Sequence, residues 1–257
     1  MTEVTSFGRG VKDPARSIVI PCYNEHDRLP PTLQAVRQYV ASSGVATEIV
    51  IVDDGSTDGT GDWARAQAEQ SGDLRVVSYG GNRGKGFAVK TGMLEALGKV
   101  ILFMDADSAT PVTEADKVWP LLEDGSADIV LGSRRQVGAQ VRASQGVLRR
   151  AASVVFAMLA RVLVLYGVKD TQCGFKGLKR QAAQDVFGQL TSPTAIFDIE
   201  MLVLARRAGY RVAEVPVTWS HDEDSRITYN TRRSLMIFAE LLRLKWRYRI
   251  LWPIRVT

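Results

Sequence analysis

The stretch Val100-Ile101-Leu102-Phe103-Met104-Asp105-Ala106-Asp107 joins an apolar run to two carboxylates, Asp105 and Asp107. A short apolar run of this kind predicts a buried strand. Open parallel sheets bind ligands at the carboxyl ends of their strands. Two acids this close need a cation, or one of them stays protonated, and their oxygens suit Mg²⁺ or Mn²⁺. The stretch therefore predicts metal-assisted chemistry on a phosphorylated substrate. The alternative is an ordinary cap and turn after a strand.

Strand and helix patterns alternate through the first half of the chain. Strands alternating with helices of about 10–15 residues predict an α/β fold with a Rossmann-like, mostly parallel central sheet and flanking helices. The predicted strands are 17–20, 48–52, 74–78, 100–104 and 128–132, and the predicted helices are 31–42, 60–70 and 84–97.

The pattern changes after residue 133. A loop with a short strand is predicted over 168–178, a helix over 197–208, an edge strand over 211–219 because of Pro216, and a helix over 231–243. Residues 243–250 alternate basic and apolar side chains, so their structure is left open. We predict one catalytic domain over 17–230, after a flexible tail over 1–16. The basic, aromatic segment 231–257 is predicted to contact a membrane surface or a second copy.

Charge is unevenly distributed in this chain, whose formal net charge is +5. No acid occurs between Leu131 and Val168, and Glu240 is the only acid after Arg226. Such basic regions favour anionic partners: phosphates, anionic lipid or nucleic acid. The two cysteines, Cys22 and Cys173, are interpreted as reduced thiols of a cytosolic protein, and the polar N-terminus does not resemble a signal peptide.

A second apolar segment, 151–168, is interrupted by Arg161, and a central arginine is costly in a bilayer. Arg149, Ser153, Ala157 and Arg161 recur every four residues, which places the polar groups on one helical face. The region 142–168 is therefore predicted to be an amphipathic helix at a membrane surface. A helix buried in the core is the alternative.

Polar residues follow successive predicted strands at 21–25, 53–56, 80–86 and 105–107. Acids at these ends can bind a base and a ribose and hold a metal on a diphosphate. Backbone N–H groups of the glycine-rich stretch 80–86 are predicted to approach phosphate, with Lys85 adding charge. Neither the Walker A nor the dinucleotide-binding spacing is present, which argues against a kinase or an NAD enzyme.

Several motifs in order resemble family 2 inverting glycosyltransferases of the GT-A fold. They are VIPCYNE (19–25), VDDGSTDGT (52–60), NRGKG (82–86), MDAD (104–107) and GSR (132–134). The motifs DTQCGFK (170–176) and FDIE (197–200) are similar to those of polyprenyl-phosphate sugar synthases, especially dolichyl-phosphate β-glucosyltransferases and, less closely, mannose synthases.

The resemblance implies a nucleotide-sugar donor, a divalent metal and a lipid-phosphate acceptor. Asp105 and Asp107 match the metal-binding pair, and Ala109 stands where mannose synthases often carry glutamine. The donor-binding positions implied by the resemblance are Pro21, Tyr23, Glu25, Asp53, Asp54, Lys85, Asp105, Ala106 and Arg226. The acceptor-binding positions are Arg134, Arg149, Ser153, Asp170 and Gln172.

An acceptor phosphate is already anionic at neutral pH, so it needs no general base to attack the anomeric carbon. The catalytic set is therefore predicted to be Asp105, Asp107, Arg134, Arg149 and Ser153, which align the reactants and balance charge. Asp170 and Asp198 are assigned to sugar hydroxyls or to loop order rather than to base catalysis.

The sequence favours UDP-glucose as donor, with GDP-mannose as the alternative. A transferase with a non-lipid acceptor is a second alternative, and it would need a general base. A nucleic-acid-binding module is disfavoured, because paired acids at a strand end repel phosphate backbones. We expect a peripheral protein on the cytoplasmic face of a membrane, without a nucleic-acid partner, and leave homo-oligomerisation open.

Overall fold

The computed structural model describes residues 4–141, 163–194, 196–220, 231–250 and 254–255. Three predicted site residues, Arg149, Ser153 and Arg226, lie outside the described residues, as does most of the predicted 142–168 helix. The helix prediction is wrong for its described end, because Leu165–Tyr166 is a short strand that pairs with Ile254–Arg255.

The described strands form one large sheet and two short pairs. They are β1 (Thr5–Phe7), β2 (Arg16–Cys22), β3 (Thr47–Asp53), β4 (Leu74–Ser78), β5 (Val100–Met104), β6 (Ile129–Ser133), β7 (Gln140–Val141), β8 (Leu165–Tyr166), β9 (Phe175–Lys179), β10 (Val212–Pro216), β11 (Thr218–Trp219) and β12 (Ile254–Arg255). The helices are α1 (Leu29–Ser43), α2 (Thr60–Gln70), α3 (Lys85–Glu95), α4 (Trp119–Glu123), α5 (Arg180–Gln189), α6 (Phe197–Arg207) and α7 (Thr231–Arg247), with a 3₁₀ helix over Val112–Lys117.

The central sheet has eight strands in the order β1-β4-β3-β2-β5-β9-β6-β10. β2 is parallel to β3 and β5, and β3 is parallel to β4. β9 lies between β5 and β6 and is antiparallel to both. The predicted α/β class with a mostly parallel sheet is confirmed, and β10 occupies the edge that Pro216 predicts.

Both faces of the sheet are covered, which explains why its strands are apolar without alternation. Val19, Val50 and Val52 belong to one apolar cluster with residues of α3, α5 and α6. Ile18 and Ile51 belong to a second cluster with residues of α1 and α2. The inserted strand β9 contributes to both clusters and closes the core between β5 and β6.

The predicted flexible tail over 1–16 is wrong for the described residues. Thr5–Phe7 pairs with β4 in antiparallel register, and β2 already begins at Arg16. The Arg65 guanidinium lies 5.5 Å from the centroid of the Phe7 ring. The tail is ordered because it caps the outer edge of β4, which would otherwise leave its backbone groups unpaired.

The C-terminal helix α7 extends to Arg247, so the first half of the segment 243–250 is helical. A turn follows at residues 248–249. Because Leu241 and Leu244 are buried, packing against the core favours the helical spacing over the alternating, strand-like one. The helices α4 and α5 were not predicted from the sequence. The spacing of Ala182, Ala183, Val186 and Phe187, all buried, is the helical signal that would have found α5.

Gly92 in α3 provides the first testable prediction. A Cβ on Gly92 would lie 2.4 Å from Val19 Cγ1 and 2.7 Å from Val52 Cγ2, on rigid β-branched side chains of the sheet. We expect Gly92→Ala to lower the free energy of unfolding by about 1 to 2 kcal/mol, because overpacking outweighs the gain in helix propensity. Urea denaturation measures the change.

Gly188 in α5 is the matched control, because a Cβ there meets nothing within 4 Å. Gly188→Ala should raise stability by up to about 1 kcal/mol. Equal effects of the two substitutions would contradict the close approach of α3 to the sheet.

Candidate functional site

The carboxyl ends of β2, β3, β4 and β5 lie side by side at one edge of the sheet, as predicted. Because β9 is antiparallel, its first residue, Phe175, pairs with Met104 at this same edge. The loop that precedes β9 therefore joins the site. Residues from both halves of the chain meet around Asp105.

Asp105 is fixed by contacts with this loop and with α3. Its backbone N–H donates to the Gly174 carbonyl at 3.1 Å. The Lys85 Nζ lies 2.7 Å from Asp105 Oδ1. A Cβ on Gly174 would lie only 2.0 Å from Asp105 Oδ2, so any other residue there would displace this carboxylate.

Asp107 lies two positions further and accepts the Ala109 N–H at 3.0 Å. Burial, together with the charge of Asp105, raises the pKa of the Asp107 carboxyl. A cation would relieve this repulsion, which fits the predicted divalent metal. Within the described ranges no group of three or more His, Cys, Asp or Glu side chains could hold a metal. A metal on this pair would take its other ligands from substrate or water.

Lys85 is the first residue of α3, and its side chain is about half-exposed. Burial lowers the pKa of Lys85, but the carboxylates of Asp105 and Asp198 outweigh this, and the pKa is raised. Lys85 therefore stays charged at neutral pH, beside the carboxylate pair. That position suits a phosphate group bridging the lysine and a metal.

Asp54 organises the glycine-rich loop. Its buried carboxylate accepts the Tyr79 hydroxyl at 2.9 Å and the backbone N–H groups of Arg83 and Gly84 at 2.7 and 2.9 Å. The Gly86 N–H donates to the Pro193 carbonyl at 2.8 Å. The prediction that this backbone binds phosphate is therefore wrong for these three N–H groups, because protein acceptors already occupy them.

The predicted base and ribose positions surround the ends of β2 and β3. Pro21 and Asp53 are buried, and the ring of Tyr23 is 41% exposed beside them. Asp53 Oδ1 accepts the Ser56 N–H at 3.0 Å. The Glu25 carboxylate is paired with Arg28, whose Nε lies 2.6 Å from Oε2. Tyr23 is thus accessible at the carboxyl end of β2, next in sequence to the buried strand residues.

Arg134 follows β6 and is held by Asp170. Its Nε and Nη2 donate to the two Asp170 oxygens at 2.7 and 2.9 Å, and its backbone N–H donates to Oδ2 at 3.0 Å. The guanidinium carbon lies 5.4 Å from the centroid of the Trp219 ring. Although burial raises the pKa of Asp170, Arg134 outweighs it and holds that pKa below its usual range.

A buried ion pair lies beneath the site and was not predicted. Lys176 of β9 is fully buried, and its Nζ lies 2.7 Å from Asp198 Oδ1. The other oxygen of Asp198 accepts the Gln172 side-chain amide at 3.4 Å. Burial raises the pKa of Asp198 despite the lysine. Lys176 is the last residue of the DTQCGFK motif, but an isolated lysine in a sequence does not indicate that its side chain is buried.

Comparison with known proteins agrees with this architecture. Residues 17–187 match the family model described as "Glycosyl transferase family 2". The dolichyl-phosphate β-glucosyltransferase of Dictyostelium discoideum is 33% identical over 251 residues, 93% of this chain and 76% of that protein. The Saccharomyces cerevisiae enzyme of the same name is 33% identical over 228 residues, 82% of this chain and 68% of that protein.

Two solved structures share the fold at lower identity. The first is glucosyl-3-phosphoglycerate synthase from Mycobacterium tuberculosis with Mn²⁺, UDP and phosphoglyceric acid, with a TM-score of 0.63, 19% identity and coverage of 91% of this chain and 78% of that one. The second is a mannosyltransferase from Pyrobaculum calidifontis with GDP-Man and Mn²⁺, with a TM-score of 0.60, 20% identity and coverage of 93% and 71%.

The family match and the named relatives define the class, a glycosyltransferase, and the solved structures share its fold, GT-A. The chain belongs to glycosyl transferase family 2. The resemblance that the motifs indicate is thereby confirmed.

The Arg134–Asp170 pair yields the second prediction. Asp170→Asn leaves the guanidinium without its charged partner, and we expect a loss of about 2 to 4 kcal/mol of stability at pH 7. Because the folded pKa of Asp170 is depressed, its contribution is present above the unfolded pKa and is lost as pH falls through the folded pKa. Urea denaturation at pH 7 and at pH 3 should therefore show a smaller difference between variant and wild type at pH 3.

Asp62→Asn is the control, since it removes an Asp–Arg pair whose carboxylate is 85% exposed. It should change stability by no more than about 0.5 kcal/mol. A loss of the same size in both variants would mean that burial does not strengthen the Arg134–Asp170 pair.

Proposed function

We propose that this protein transfers glucose from UDP-glucose to a polyprenyl phosphate, with inversion, to give a β-linked lipid-phosphate sugar. The observation that carries the proposal is the arrangement of Lys85 against Asp105, next to Asp107, at the edge where the β2 and β3 ends gather. The relatives of known name support the sugar and the lipid, since they are called dolichyl-phosphate β-glucosyltransferases.

The donor diphosphate would lie over Asp105, Asp107 and Lys85. A Mg²⁺ or Mn²⁺ ion on the two carboxylates would neutralise charge on the leaving nucleoside diphosphate. Lys85 adds a fixed positive charge on the α3 side of the same group. Tyr23, which is exposed after β2, would stack on the base. Asp53, which is buried at the end of β3 and accepts the Ser56 N–H, would hold the ribose.

The acceptor phosphate would approach from the side of Arg134. Asp170 engages two of the five side-chain N–H donors of Arg134 and fixes the plane of the guanidinium, which leaves donors for a phosphate. The Asp170 charge also cancels that of Arg134, so the pair alone attracts a phosphate weakly. We therefore assign the remaining attraction to Arg149 and Ser153, as the family resemblance implies.

The acceptor phosphate itself attacks the anomeric carbon, and the bond to the diphosphate oxygen breaks on the opposite face. No proton has to be removed from the nucleophile, so no general base is required. Asp198 is a carboxylate that could be taken for a general base. Its two oxygens, however, accept hydrogen bonds from Lys176 and Gln172. This arrangement favours a phosphate acceptor over a sugar hydroxyl, which needs a base.

The third prediction tests the reaction itself. Purified protein with a short polyprenyl phosphate and Mn²⁺ should turn over UDP-glucose in preference to GDP-mannose. We expect Asp107→Asn to lower kcat/KM about 100-fold or more, because it removes a charged metal ligand. The control Asp124→Asn changes an exposed carboxylate in a distant turn and should retain wild-type turnover.

Other outcomes are decisive as well. Turnover of GDP-mannose alone would replace glucose by mannose in the proposal. Turnover with a sugar acceptor but none with lipid phosphate would overturn the acceptor assignment and require a general base.

We propose further that the outward face of α7 binds an anionic membrane surface, where the lipid acceptor resides. Phe238, Leu242 and Trp246 recur every four residues on this helix and are 37%, 42% and 89% exposed. Arg243 and Arg247 are exposed beside this stripe. An apolar stripe flanked by cations is typical of helices that lie in the headgroup layer. No described helix is both long enough and apolar enough to cross a bilayer.

The fourth prediction concerns this face. Leu242→Ser should weaken co-sedimentation with phosphatidylcholine–phosphatidylserine vesicles about tenfold, because burial of a leucine contributes about 1.5 to 3 kcal/mol. Leu97→Ser is the matched control, because Leu97 is also 42% exposed but follows α3 and is not part of α7. Binding that is equally reduced in both variants, or in neither, would refute the assignment.

A further inference from the structure

Glu200 is a buried carboxylate that the mechanism above does not use. It lies in the first turn of α6 and has no exposed surface. Its Oε1 accepts the hydroxyl groups of Thr191 and Tyr248, each at 2.7 Å. Its Oε2 accepts the backbone N–H groups of Thr191 and Ser192 at 3.2 and 2.6 Å. The donors named here are all neutral, so Glu200 organises a loop as a buried acceptor of several hydrogen bonds.

The loop held by Glu200, residues 191–194, packs closely against the start of α3. The Pro193 carbonyl accepts the Gly86 N–H at 2.8 Å. A Cβ on Gly86 would lie 2.5 Å from the Ser192 carbonyl oxygen, and a Cβ on Gly84 would lie 2.7 Å from the Pro193 oxygen. Gly84 and Gly86 therefore leave the space that the loop occupies on either side of Lys85. Lys85 is the residue whose ammonium contacts Asp105.

The same loop is tied to α7 and the turn that follows it. Glu240 accepts the Thr194 hydroxyl at 2.5 Å, and Arg247 donates to the Thr191 hydroxyl. Tyr248 completes the connection through Glu200. A continuous set of contacts thus runs from the C-terminal helix, through Glu200 and the loop, to Lys85.

We propose that Glu200 is a positioning residue that holds loop 191–194 against α3, keeps the Lys85 ammonium over Asp105 and makes donor binding depend on the docking of α7 through Tyr248. This inference rests on the proposed function, in which Lys85 and Asp105 bind the donor diphosphate. Neither Glu200 nor Tyr248 touches the reacting atoms. Their loss should therefore change the affinity for the donor much more than the rate of the bound complex.

The test is binding of UDP with Mn²⁺, measured by calorimetry without lipid, together with the steady-state constants for UDP-glucose. Tyr248→Phe should raise the Kd for UDP and the KM for UDP-glucose about five- to tenfold, with kcat changed less than twofold. Tyr210→Phe is the matched control, because it removes a tyrosine–carboxylate hydrogen bond to Asp185 on α5. It should leave all three constants at wild-type values.

A second pair of variants separates positioning from folding. Glu200→Gln keeps an acceptor oxygen for the loop and should recover most of the donor affinity that Glu200→Ala loses. If Tyr248→Phe binds UDP as tightly as wild type, or if Glu200→Gln is as impaired as Glu200→Ala, the inference is wrong. Wild-type protein that binds neither UDP nor GDP with Mn²⁺ would overturn the proposed function, and this inference with it.

Discussion

The carboxylate of Asp105 occupies the space where any side chain at position 174 would begin, and the Lys85 ammonium lies 2.7 Å from one of its oxygens. This close approach requires β9 to run antiparallel between β5 and β6, because only then does the loop before β9 reach the carboxyl end of β5. It also requires α3 to begin at Lys85. The contact thus exists only because the sheet order, the glycine at 174 and the start of α3 occur together.

Buried charge around this contact is balanced in several different ways. Asp170 is paired with Arg134, Asp198 with Lys176, and Asp54 with neutral donors from the glycine-rich loop. Removing one member of such a pair costs more than forming the pair gains, so each pair fixes geometry more than it adds stability. Asp105 and Asp107 differ, since their mutual repulsion is relieved best by an added cation.

The sequence alone predicted the elements that local pattern determines. The bounds predicted for the strand 74–78, the helix 60–70 and the strand 100–104 match the structure, because apolar runs and helical spacing are local signals. The position of β9, the Arg134–Asp170 pair and the contact of Glu200 with Tyr248 were missed. The paired residues are 36 and 48 positions apart, and nothing in either segment alone specifies its partner. Arg149, Ser153 and Arg226 stay predictions.

The hydrogen bonds to the carboxylates near the site bear on which substrate accepts the sugar. A sugar hydroxyl needs a general base to take its proton as it attacks, and a carboxylate serves as that base when one of its oxygens is free. Near the described site, Asp54, Asp170 and Asp198 each have both oxygens engaged by protein donors. The proposed function assigns Asp105 and Asp107 to a divalent cation. An acceptor that brings its own negative charge removes the need for a base, and under the proposed function the cationic groups Arg134 and Lys85 would align the two phosphates for displacement.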